Sequence, residues 1–335
     1  IGSRCAGRNA AMTRFNARGD LILVFDAGTQ SIRAALIDRE GRIEKMVKTP
    51  ITPYFSHQPG WAEQEPGYFW ANLATTARQL LGAGDIDRGR IAGVTLTSQR
   101  NTLINLDQNG QPLRPAIIWL DQRKAEPTGN LSPLLRGLLK AINKDTLLEQ
   151  AERECKSNWI RQHQPEIWAQ TSKLLLLSGY LTYKLTGVYR DSSGNMVGYL
   201  PFDYKRQKWA RRGDVKWKTF PMNPAVLPEL VKPSALLGHV TPRAAAETSI
   251  PDGLPVIAAA TDKACEVLGA GCLSPEIACL SYGTTATVNT ANKNYVEIQA
   301  FMPPYPSALP GYYNTELMIY RGFWMVSWFK REFGL

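Results

Sequence analysis

Apolar residues in this chain fall into two rhythms. Over residues 21–25 and 32–37 branched and aromatic side chains crowd into short runs, the mark of strands. Asp38-Arg39-Glu40-Gly41 turns the chain, and a third strand is expected near residues 43–47. Three strands in succession predict a meander, not a strand–loop–helix unit. From Pro66 the spacing becomes helical, with Phe69, Leu73, Ala77 and Leu80 on one face. Strands are expected again at 91–97 and 102–106, the second closed by a turn at Gln108-Asn109-Gly110, and the apolar run 115–120 leads into Asp121-Gln122-Arg123. Residues 124–165 read as helical pieces. Residues 166–185 read as one long helix stopped by Gly187. A basic stretch and a Pro-rich one around 221–233 follow. Residues 255–260 then read as a buried strand and 263–269 as a helix; 277–281 and 286–290 read as strands flanking Tyr282-Gly283-Thr284-Thr285.

The polar knot Asp26-Ala27-Gly28-Thr29-Gln30-Ser31 sits between the first two strands. Glycine allows a tight turn and close backbone approach to a ligand. Successive N–H groups in such a turn cup an anion, and Thr29 and Ser31 add hydroxyl donors. Asp26 would repel a bare phosphate, so its place at the strand end fits a magnesium ion held between carboxylate and phosphate oxygens or through water. Arg33 would neutralise further phosphate charge. The same residues would also make a plain hairpin with Asp26 holding backbone donors. No G-x-x-x-x-G-K-[ST] loop is present. A second Gly-Thr tip, Gly283-Thr284-Thr285, echoes the first and suggests two similar halves facing a cleft. Asp262 follows the buried strand and precedes a helix. A carboxylate there either caps the helix or faces a cleft near the positive helix end, with Lys263 favouring its ionised form. In the cleft it would accept a proton from a sugar hydroxyl during phosphoryl transfer.

Composition narrows the class. The chain has 335 residues, 44% hydrophobic and 20% charged, enough for one large or two ordinary globular domains. Its net charge is +10. Residues 205–218, KRQKWARRGDVKWK, hold seven Lys or Arg against one acid. No helix-turn-helix, zinc-finger or RNA-binding signature accompanies them, so a solvated loop or surface hairpin is expected and nucleic acid is not. Five cysteines without a CxxC pair indicate neither a zinc ribbon nor a disulfide framework; Cys265, Cys272 and Cys279 in apolar surroundings suit a reducing, cytoplasmic compartment. No apolar stretch reaches bilayer length, so no membrane partner is expected. Residues 1–20, with four Arg and a single acid at the end, are expected to be a disordered leader rather than a transit peptide.

Taken in order, DAGTQSIRAALID, GWAEQEPGYFWANL, IAGVTLTSQRNTLINLDQNGQPLRPAIIWLDQR, SKLLLLSGYLTYKLTG, GLPVIAAATDKACEVLGAG and SYGTTATV resemble the FGGY family of carbohydrate kinases over residues 21–290. The resemblance implies an α/β fold of ribonuclease-H-like domains, shared with actin, the Hsp70 ATPase and hexokinase, with ligands in the cleft. It implies an N-terminal sugar-binding and catalytic domain over 21–263 and part of a nucleotide-binding domain over 264–335. ATP and Mg2+ are the implied cofactors, and a small sugar or polyol (a pentulose, hexulose or relative) the implied substrate; identical copies assembling together is left open. Asp26, Gly28, Thr29, Gln30, Ser31 and Arg33 match the first phosphate turn, with Asp26 toward the metal, and Gly283, Thr284 and Thr285 match the second. Asp262 matches the general base. Arg100, Asn101 and Trp119 match sugar contacts, though Trp119 would equally serve a core. Asn101 stands where glycerol kinases carry Glu, so glycerol is not the expected substrate. Lys263 replaces the usual Gln or Asn and is expected near substrate or phosphate. The family's glycine-rich adenosine site is not reached, which leaves a non-catalytic sugar-binding or interaction module as the alternative. Phe323, Trp324, Trp328 and Phe329 are then expected to have fewer packing partners and to form apolar surface.

Overall fold

The computed structural model describes residues 19–335 apart from 83, 85, 142–144, 283–285, 300, 301, 320, 321, 323 and 335. Most of the expected leader therefore lies outside the described residues; Asp20, at its end, is ordered and paired with Arg90 at 2.7 Å.

The opening meander forms as expected: β1 (Leu21–Ala27), β2 (Ser31–Ile37) and β3 (Ile43–Pro50) pair antiparallel in sequence. In β1 every second residue, Leu21, Leu23, Phe25 and Ala27, is fully buried, as the two-residue period of a strand requires. After the short β4 (Glu63–Gln64), α1 (Pro66–Leu81) starts on its proline and lays Phe69, Leu73, Ala77 and Leu80 on the meander. Each large side chain so buried contributes about 1.5–3 kcal/mol. β5 (Ile91–Ser98) then enters parallel to β1. β6 (Leu103–Leu106) and β7 (Ala116–Ile117) join β4 in a separate small sheet. Gly110 makes the turn between them at φ 74°; a Cβ there would collide with the Tyr183 hydroxyl.

The helical pieces are α2 (Pro133–Ala141), α3 (Asp145–Glu154), α4 (Lys156–His163) and α5 (Pro165–Gln170). The single helix expected over 166–185 is not formed. α5 stops at Gln170, β8 (Lys173–Leu176) pairs antiparallel with β6, and only then does α6 (Leu177–Thr186) begin, ending on Gly187 at φ 72°. Burial on both sides explains it. Leu174 and Leu176 enter one apolar cluster and Leu175 the other, an alternation only a strand provides.

β9 (Arg190–Ser192) is followed by the two-stranded hairpin β10 (Phe202–Asp203) and β11 (Lys208–Trp209), then α7 (Lys216–Thr219). The basic stretch thus forms the expected surface hairpin and short helix. β12 (Glu229–Val231) pairs parallel with β9. β13 (Leu236–His239), α8 (Pro242–Thr248) and β14 (Pro255–Ala258) complete the main sheet, in the order β13-β14-β5-β1-β2-β3. A three-strand meander flanked by parallel β5 and β14 is the ribonuclease-H-like arrangement. After α9 (Asp262–Gly269), the strands β15 (Ala278–Tyr282), β16 (Ala286–Asn292), β17 (Tyr305–Pro306) and β18 (Tyr313–Ile319) form a further sheet, and α10 (Trp324–Phe333) follows. That sheet leaves Leu280, Tyr282, Val288, Leu317 and Ile319 exposed, and α10 leaves Trp328 and Phe329 exposed, as the sequence led us to expect for the last two. Phe323 and the side chain of Trp324 lie outside what is described.

Candidate active site

The main sheet decides where the chemistry collects. β1, β5 and β14 are neighbours and mutually parallel, so their C-terminal ends emerge on one edge. Ligands of open α/β sheets collect at such edges. β1 delivers Asp26 and Thr29 there, β5 delivers Gln99, Arg100 and Asn101, and β14 delivers Asp262. The edge is tied across: Gln99 N donates to Ala27 O at 3.0 Å, and Thr97 Oγ1 donates to Ala260 O at 2.7 Å.

Asp262 is the first residue of α9, but the cap is Thr261, whose hydroxyl accepts from Ala264 N. The helix end is therefore satisfied without Asp262, whose Oδ1 accepts only from its neighbour Lys263 N, at 2.8 Å, among the bonds described. Burial pushes the Asp262 carboxyl above the ordinary Asp range. The positive charge of Arg100 and the Lys263 N–H oppose that shift, and the negative charge of Asp26 adds to it. Lys263 does favour the ionised form, as expected, but burial outweighs it. Asp26 and Asp262 thus feel each other across the strand ends.

The first turn is tight: Gly28 N donates to Ser31 O at 3.1 Å, and a Cβ on Gly28 would sit 3.3 Å from that same oxygen. Ser31 is buried and Gln30 exposed, its carbonyl accepting from Ile51 N at 3.0 Å. Arg33 faces Asp26 in the β1–β2 register and binds its Oδ2 at 2.6 Å, so the two side chains hold each other. Trp119 is not a core residue. It is 40% exposed and its Nε1 donates to Thr29 Oγ1 at 2.9 Å. An indole N–H can only donate, and Thr29 passes its own proton to Gln99 Oε1 at 3.0 Å. That chain fixes the Gln99 amide and leaves its buried Nε2 without a partner. Arg100 pairs with Glu316 of β18 at 3.0 Å and lies over the Tyr305 ring at 5.4 Å, so it bridges the two sheets. Asn101 holds a left-handed backbone, φ 53°, against Gly198. Lys263 turns its ammonium to Glu266, at 2.7 Å, and to Ser281, at 2.6 Å. It therefore joins α9 to β15.

Beneath Trp119 lies a buried ionic network. Glu63 binds Arg114 and, at 3.0 Å, Arg123; Arg123 also binds Asp121 at 2.6 Å and lies against the edge-to-face pair of Trp61, at 3.9 Å, and Trp159, at 4.6 Å. Asp121 Oδ2 accepts from Ala62 N at 2.6 Å, so the network pins the segment that carries Trp119. Gln99, Glu63, Tyr305 and Glu316 escape sequence reasoning. Gln99 stands beside Arg100 in the chain, but nothing in its spacing marks it, and Glu316 is more than two hundred residues from its partner. Gly283, Thr284 and Thr285 lie outside the described residues; their flanking strands pair antiparallel, Tyr282 opposite Ala286. Among the described residues no group of three or more His, Cys, Asp or Glu is placed to hold a metal unaided.

Comparison with known proteins agrees with this geometry. Residues 21–269 match the N-terminal domain of the FGGY family of carbohydrate kinases. A protein named as an uncharacterized sugar kinase, YgcE of Escherichia coli K12, is 29% identical over 314 residues, 93% of this chain and 56% of that protein. The xylulose kinase of Lactococcus lactis is 26% identical over 317 residues, 93% of this chain and 62% of that one. The solved xylulose kinase of Rhodospirillum rubrum superposes with a TM-score of 0.77 at 22% identity, covering 93% of this chain and 64% of its own. The chain spans about three-fifths of the length of these relatives. With three-quarters of its residues inside the matched domain and its polar side chains gathered at the expected sheet edge, the chain belongs to the FGGY family of carbohydrate kinases.

Proposed function

We propose that this chain supplies the sugar-binding and catalytic part of an ATP-dependent kinase that phosphorylates a hydroxyl of a small sugar or polyol, of pentulose or hexulose type. One observation carries the reading: Asp262 is released from capping, sits in a poorly hydrated position and is held between the opposing charges of Arg100 and Asp26. Its carboxylate would accept the proton of the attacking hydroxyl as the oxygen–phosphorus bond forms and ADP departs. Arg100, Asn101 and Trp119 would hold the sugar, and the Gln99 amide has donors to spare for it. The Gly28–Ser31 turn and Arg33 would bind phosphate oxygens, Arg33 leaving Asp26 as they arrive. A magnesium ion fits beside Asp26, which keeps one carboxylate oxygen outside the Arg33 pair, provided phosphate oxygens and water complete its shell. Bound there, it would neutralise phosphate charge. The four free cysteines among the described residues, Cys155, Cys265, Cys272 and Cys279, support a cytoplasmic setting.

The test is ADP release from ATP–magnesium over a panel of pentuloses, hexuloses and polyols. We expect turnover with at least one sugar, and a loss of about a thousandfold in Asp262→Asn with calorimetric sugar binding retained. The exposed apolar face of β15, β16 and β18 favours a second reading, a module that binds sugar without phosphoryl transfer. Sugar binding without ATP binding or ADP release would select it.

A further inference from the structure

The basic hairpin has no part in the candidate active site, and two of its charges line a second pocket. β9 and β12 run parallel with Ser192 opposite Val231, so Ser193 and Lys232 leave the sheet side by side. The turn of the β10–β11 hairpin brings Arg206, Gln207 and Lys208 over them, and Tyr313 of β18 closes the far wall of a pocket of about 190 Å³. The hairpin is held there by Gln207, which adopts a left-handed backbone, φ 52°, and donates from Nε2 to Tyr312 O at 2.8 Å. Of the three cations, only Arg206 has an acidic partner among the described residues, Asp203 at 3.2 Å. Ser193 is 2% exposed and its hydroxyl has no hydrogen-bond partner. A buried donor of this kind is costly unless a ligand accepts from it.

We propose that this pocket binds the phosphate group of a small molecule, at a site separate from the sugar and nucleotide cleft. Three cations and one hydroxyl donor match a dianion with several acceptor oxygens. The volume is below the roughly 300 Å³ at which sites for larger ligands begin, which suits inorganic phosphate or a short phosphate ester and not a nucleotide. The site does not depend on the kinase reading.

Calorimetric titration of the whole chain with inorganic phosphate and with ribose 5-phosphate tests it. One saturable site is expected for at least one probe. Binding of both assigns recognition to the phosphate alone, and binding of only the ester adds contacts to its carbon chain; either supports the pocket. Lys208→Ala/Lys232→Ala should weaken binding about tenfold or more. Ser193→Ala should weaken it several-fold without lowering the melting temperature of the free chain, since it removes an unpartnered buried hydroxyl, and Asp262→Asn and Thr29→Ala should bind as the parent does. No binding of either probe, binding indifferent to Lys208 and Lys232, or binding lost in Thr29→Ala would overturn the proposal. So would a short oligonucleotide that binds more tightly than both probes through the same lysines.

Discussion

Glu63→Gln is the sharpest test of how the site is held. Glu63 is the anion shared by Arg114 and Arg123, and the side chains of all three are at most 5% exposed. Arg114 also has Nε and Nη1 without partners, and burial already draws its guanidinium below its usual range. Neutralising Glu63 leaves two buried cations facing each other with Asp121 alone to balance them. Breaking a buried pair from one side costs about 3–5 kcal/mol. At a slope of roughly 3 kcal/mol per molar urea, the unfolding midpoint should fall by about 1–1.7 M. Tryptophan fluorescence reads the transition directly, because the Arg123 guanidinium lies against both Trp61 and Trp159. The double variant Glu63→Gln/Arg114→Met removes the uncompensated cation and should recover more than half of the loss. A midpoint change below about 0.3 M in the single variant would refute the network as a structural anchor, since that corresponds to roughly 1 kcal/mol.

Three further outcomes follow. Asp191 is fully buried and its carboxyl is pushed up to about 6 from 3.8, so the folded state holds its proton longer than the unfolded state. Its contribution to stability is thus lost as pH rises toward 6, and the stability of the parent relative to Asp191→Asn should fall by about 2 kcal/mol between pH 4.5 and 7, measured by urea unfolding at each pH. Arg100→Met removes the charge that counters burial at Asp262, so the acidic limb of the pH–rate profile should move to higher pH; a limb that stays in place would remove Asp262 as the titrating base. Leu175→Ala, in a strand 1% exposed at that residue, should cost about 2–5 kcal/mol, whereas a cost under 1 kcal/mol would place the residue outside the core.

What the chain disclosed about itself depended on range. The meander, α1 and the β15–β16 pair were legible because their patterns repeat within a few residues of one another. The split at residues 171–176 was not, because a run of leucines buried on both sides carries no period to separate strand from helix. Asp26 and Asp262 could be singled out from their setting, and Trp119 from the family resemblance, but their partners could not. The pairing of Arg100 with Glu316, the relay from Trp119 through Thr29 to Gln99, and the diversion of Lys263 to Glu266 and Ser281 are all decided by where strands end in space. The Arg33–Asp26 pair was hidden differently. Each residue suggested a ligand of its own, and hairpin register gives them to one another.

The three parallel strands also set a ruler. Neighbouring strands stand about 4.8 Å apart, so the ends of β1 and β14, with β5 between them, stand roughly 10 Å from each other. Backbone hydrogen bonds along β5 to both neighbours keep that spacing from widening. Loops around the rim, including the one that carries Asp262 from β14 to α9, can therefore vary while the spacing of the strand ends beneath them stays the same.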